Sequence, residues 1–71
     1  MSCKHPAIQH HRNAVQHYER AAHHHGEAAR YFEAQDIAAA TRHAHLAIGH
    51  ASQAEQYADE ACRAHARLNW E

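Results

Sequence analysis

Little in this chain can turn it, staple it or thicken its core. Two Gly and one Pro in 71 residues are too few punctuators for a many-stranded fold, and no Gly-rich phosphate loop can be drawn. Two cysteines, Cys3 and Cys62, cannot build a disulfide framework and are expected as free thiols or ligands in a reducing compartment. No apolar run approaches the length of a membrane span, and no charged leader precedes one, so a cytoplasmic location is expected. Seven basic and eight acidic residues leave a formal charge of −1, which argues against a nucleic-acid or anionic-membrane partner. Large apolar side chains are scarce too. Much of the 45% hydrophobic content is Ala, which buries little area per residue. A single domain spanning 1–71 is therefore marginal by itself, and self-association is the expected remedy.

Alanine and eleven histidines are what the chain has in quantity. Ile37, Ala44, Ala51, Ala58 and His65 recur every seven residues. Ala40, Ala47, Ala54, Ala61 and Leu68 interleave with them, so the 3–4 spacing holds over about 37–68 and predicts one long helix. Pro6 suits a first helical turn. After it Ala7, Ala14, Ala21 and Ala28 alternate with His11, Tyr18, His25 and Phe32, predicting a helix over about 6–33. Residues 34–36 form the break. Asp36 is a good N-cap, and Gln35 stands where a left-handed Gly is the easier choice. So short a connection makes the helices antiparallel neighbours. The fold class is all-α, an antiparallel helical hairpin expected to dimerise into a four-helix bundle.

Facing residues whose numbers sum to about 72 satisfy both heptad rows. Phe32 then faces Ala40 and Tyr18 faces Ala54, large against small, with Ala21 facing Ala51 between them. In a seam this close, Ala51→Leu is expected to disrupt the hairpin. Ile8, Val15, Ala22, Ile48 and Leu46 form a greasy edge for a second copy, with Glu55 as its one discordant residue. On the other edge His24 lies near His50, His17 near Tyr57 and Tyr31 near His43. Gly26 and Gly49 sit on outward positions, and at Gly49 the reading preferred is close approach of another backbone.

No two histidines are three or four apart, so no helix carries a ready-made chelating pair. H-E-x-x-H and the E-x-x-H of di-iron bundles are absent. No nucleophile–base arrangement is present, and no enzymatic activity is expected. Two weaker metal candidates remain. His17, His24 and His50 can approach across the hairpin. At the open end, Cys62-x-x-His65 with Cys3-x-His5 supplies thiols and imidazoles of a kind that bind Zn, and imidazole also suits Ni and Cu. The candidate ligands are thus His17, His24, His50, Cys62 and His65. Against them stands the plainer reading, with His11 and His25 packed opposite Ala, His23, His43 and His45 solvated, and Cys62 a small buried hydrophobe.

The segments Ala21–Arg30, Glu33-Ala34-Gln35-Asp36 and His43-Ala44-His45-Leu46-Ala47-Ile48-Gly49-His50 together resemble a family. They are similar to small His- and Ala-rich bacterial proteins with an EAGD-like turn followed by HAHLAxGH. The resemblance covers most of residues 10–65 and implies a helical hairpin, with no activity attached. Gln35 departs from the usual Gly, and Ala51 stands where a further His often follows. Tyr31–Ala40 also resembles the turn of a tetratricopeptide unit, but there is only one such turn and its helices are about twice the length that repeat uses. Two functions are in contention. One is a structural or interaction protein acting as a homodimer; the other is a transition-metal binding or buffering protein.

Overall fold

The computed structural model describes the backbone of residues 5–70 and the side chains through residue 66. Cys3, and the side chains of Leu68 and Trp70, therefore lie outside the described residues. Two helices make up the chain, α1 (Pro6–Glu33) and α2 (Ile37–Trp70), packed along one another into a rod 54 Å long. No described helix is long and apolar enough to cross a membrane.

Pro6 opens α1 as expected, and the His5 ring caps it by accepting the Ala7 N–H at 3.1 Å. At the other end Gln35 takes φ 65°, the left-handed conformation. Its N–H donates to the Phe32 carbonyl at 3.0 Å, and the Asp36 N–H donates to Tyr31 at 2.8 Å. These two bonds are the Schellman pairing that satisfies the last carbonyls of a helix. Asp36 serves both helices, because its carboxylate also accepts the Ala39 N–H at 3.2 Å and caps α2. One residue thus ends α1 and starts α2, which is why three residues suffice to reverse the chain. Only the left-handed Gln35 is costly, since a Cβ in that region is penalised by roughly 1–2 kcal/mol. Gln35→Gly is expected to stabilise the hairpin by about 1 kcal/mol. A chemical denaturation midpoint that falls for this variant would count against the turn described.

Every buried residue among those described is alanine: Ala7, Ala14 and Ala21 on α1, and Ala39, Ala40, Ala47, Ala54, Ala61 and Ala64 on α2. Ala47, Ala54 and Ala61 have no exposed surface at all. The alanine rows are those the heptads predict, and small side chains let two helix backbones approach closely. The second row of the interface differs. Tyr18 and Phe32, expected against Ala54 and Ala40, are 47% and 65% exposed, and Ile37 is 51% exposed. Half-buried in their place are His10, His17, His24 and Tyr31 on α1, with His43, His50 and Tyr57 on α2. On α1 the interface is turned by one residue position toward the histidine side, while on α2 Ala44, Ala51 and Ala58 are half-buried alongside His43, His50 and Tyr57. Ala51, expected in the closest part of the seam, is half-buried, whereas the neighbouring row of Ala47, Ala54 and Ala61 is fully enclosed. Gly49, for which close backbone approach was expected, has nothing within 4 Å of where a Cβ would stand, and neither has Gly26. Both are exposed helix positions where glycine costs propensity alone.

Candidate functional site

The two helices bring seven rings into one row. In order from the turn they are Tyr31, His43, His24, His50, His17, Tyr57 and His10, contributed alternately by α1 and α2. Spacing of seven residues on each helix keeps every ring on the same face, so the row follows directly from the heptads. Two kinds of contact alternate along it. Tyr31 and His43, His24 and His50, and His17 and Tyr57 lie nearly parallel, at 7°, 2° and 9°, with centroids 5.4–5.7 Å apart. These three neighbours are the ones the sequence register predicts.

The other contacts are rungs. His24 Nδ1 lies 3.0 Å from His43 Nδ1, and His17 Nδ1 lies 3.2 Å from His50 Nδ1. Their ring centroids are 5.2 and 5.4 Å apart, 2.2 Å more than the nitrogens in each case. Both nitrogens therefore lie close to the line joining the ring centres, the arrangement of an N–H···N hydrogen bond rather than of face-to-face stacking. One ring must carry its proton on Nδ1 and donate; the other must keep Nδ1 bare and carry its proton on Nε2. Each rung is satisfied by one proton between the facing nitrogens, and a second proton there sets two donors head to head.

A third rung is missing. By the same seven-residue step, His10 faces Tyr57, but the centroids are 6.5 Å apart and the buried His10 Nδ1 has no partner. At the turn end the row is closed by Arg30, whose guanidinium stands 5.6 Å from the Tyr31 ring centroid and pairs with Glu27 at 2.9 Å.

Of the sequence candidates, His17, His24 and His50 do come together, joined by His43, which the sequence register placed near Tyr31 but which was not among the candidate ligands. His65 and Cys62 lie apart, near the open end. His65 Nε2 meets His11 Nε2 at 3.3 Å, and the Cys62 thiol is exposed rather than buried. His11 and His25 are exposed rather than packed against alanine. No group of three or more His, Cys, Asp or Glu among the described residues is placed to hold a metal ion. His24 is the ring whose affinity for a proton is most clearly altered. Its pKa is lowered by desolvation in the row and by the neighbouring His23, His43 and His50, with Glu27 opposing.

His43 and His10 were missed as partners because a search for ligands three or four apart looks along one helix only. The signal was present in the cross-helix sums, since 24 with 43 and 17 with 50 repeat one step of the same register. Compared with known protein families, curated proteins and solved structures, the chain matches none.

Proposed function

We propose that this chain is a non-enzymatic interaction module that acts as one half of a homodimeric four-helix bundle. One observation carries this reading: among the described residues the hairpin buries only alanine while the large aliphatic side chains, with Tyr18 and Phe32, lie outside. Ile8, Val15, Tyr18 and Phe32 on α1, with Ile37 and Ile48 on α2, are 42–65% exposed. All six fall on the alanine side of the hairpin, away from the ring row, because helical positions one and four residues past the alanine row share that side. An apolar face running the length of a small monomer is uncommon and marks an association surface. A second copy is the occupant that fits, because a two-fold axis covers the same face on both chains and supplies the burial that alanine alone does not. Leu46, read from sequence as part of this edge, belongs to the ring side and is left out. Glu55 shares the apolar face and is expected at its rim.

Sedimentation of the unmodified chain at micromolar concentration is expected to show a dimer, and Ile48→Glu is expected to weaken it by at least about tenfold, the equivalent of ~1.4 kcal/mol. A monodisperse monomer for the unmodified chain would remove this reading.

A further inference from the structure

The two helices contribute unequally to the apolar face. On α1 the positions four past the alanine row hold His11, Tyr18, His25 and Phe32, and all four are exposed. On α2 the matching positions hold Ala44, Ala51 and Ala58, which are half-buried, and then His65. His11 and His65 are hydrogen-bonded through their Nε2 atoms at 3.3 Å, which fixes how this flank is aligned. Seven-residue steps from that contact set Tyr18 level with Ala58, His25 with Ala51 and Phe32 with Ala44. Rings on α1 thus stand beside alanines on α2. The face is a ridge along one helix and a trough along the other. Ile48 reverses the pattern locally. It is 61% exposed and rises from α2 between the levels of Ala22 and Ala29, the small residues of the outer α1 row.

Resting on the homodimer reading above, we propose that the second copy lies with its turn at the same end, so that α1 of each copy packs on α2 of the other. A two-fold axis parallel to the rod produces this arrangement. Levels along the rod are then kept across the interface. The Tyr18 ring of one copy enters the trough at Ala51 and Ala58 of the other, and Ile48 enters the gap at Ala22 and Ala29. Large meets small at each of these steps, as interdigitated packing requires. Glu55 falls beside Val15 of the other copy, toward the edge of the face. A two-fold axis across the rod lays α1 on α1 and α2 on α2 instead. Ridge then meets ridge, with Ile8 brought to Phe32, and trough faces trough, leaving a gap whose lining forfeits its contacts. Facing helices run antiparallel in both arrangements, so side-chain size decides between them. The proposed one leaves a ring row outward on each side of the bundle and brings both His11–His65 pairs to one end.

The test is isotope-filtered NOE spectroscopy on mixed dimers, made by refolding carbon-13-labelled and unlabelled chain together at pH 7.5. Expected are cross-peaks between copies from the Tyr18 ring to the Ala51 and Ala58 methyls, and from the Ile48 methyls to Ala22. Cross-peaks joining Ile8 of one copy to Phe32 of the other, with none from Tyr18 to Ala51 or Ala58, overturn the arrangement and leave the dimer standing. Ala58→Leu supplies a second readout by sedimentation. A leucine there occupies the trough that Tyr18 needs, so dimerisation is expected to weaken by at least about tenfold with helix content retained. Tighter dimerisation of this variant means the trough was empty, and overturns the arrangement as well. A monodisperse monomer for the unmodified chain removes the homodimer reading itself, and the arrangement with it.

Discussion

Ala54→Leu is expected to destabilise the hairpin by about 1–3 kcal/mol, the usual cost of forcing extra methylenes into a packed seam. Ala54 has no exposed surface and lies in the row with Ala47 and Ala61, which have none either. A leucine there has no groove to enter, because alanines line that side of the interface and the ring row fills the other. In a domain of this size each kcal/mol lowers the melting temperature by roughly 4–8 °C, and so short a chain has little stability to spare. Ala38→Leu is the control. Ala38 is exposed on the same helix, so its replacement is expected to fall within about 0.5 kcal/mol of neutral. Melting curves for the two variants, followed by circular dichroism, decide the matter. Equal stability of the two would mean the helices are not closely apposed at Ala54.

The second large effect is acid. His24 has its pKa lowered by desolvation in the ring row, then by the charges of His23 on its own helix and of His43 and His50 on α2, with Glu27 acting the other way. A lowered pKa in the folded chain means the unfolded chain binds the proton more readily. The resulting stability is present in full above the ordinary histidine value of 6.5. It is lost progressively as pH falls from there through the lowered value. The geometry at His24 acts in the same direction, because a second proton there sets its Nδ1–H head to head with the facing ring across 3.0 Å. Full protonation would also add eleven positive charges to a formal net charge of −1, and self-repulsion of that kind opposes the compact state. Thermal melts between pH 7.5 and 5.0 are expected to show a melting temperature that holds down to about 6.5 and falls below it. His24→Asn is expected to flatten the curve. A melting temperature that is constant or rises toward pH 5.0 would contradict the rung assignment.

Both helices and the turn were legible because local chemistry and heptad pattern agree there. Pro6 starts α1, Asp36 caps α2, and the alanine rows hold their spacing without a slip. The register was legible for the same reason, and it placed His24 beside His50 and His17 beside Tyr57. What the pattern left undecided was the side on which each alanine row closes. His11, Tyr18, His25 and Phe32 follow the alanines at one offset; His10, His17, His24 and Tyr31 follow them one residue earlier. Both sets satisfy a 3–4 repeat, and hydrophobicity favours the set with Tyr18 and Phe32. The structure has the other. Interleaved imidazoles satisfy one another's nitrogens across the interface, whereas the larger apolar rings are left for a surface that a single hairpin does not cover. Cross-helix pairing of this kind is invisible to any rule that reads ligands along one helix.

The rungs themselves are the most direct test. Nitrogen-15 spectra of histidine-labelled protein at pH 7.5 report the tautomer of each ring and couplings across N–H···N bonds. Scalar coupling is expected between the Nδ1 atoms of His24 and His43 and between those of His17 and His50. One ring of each pair should carry its proton on Nδ1 and the other on Nε2. Chemical shifts of freely exchanging tautomers at all four rings, with no coupling between the helices, would contradict the ring row on which this description of the interface rests.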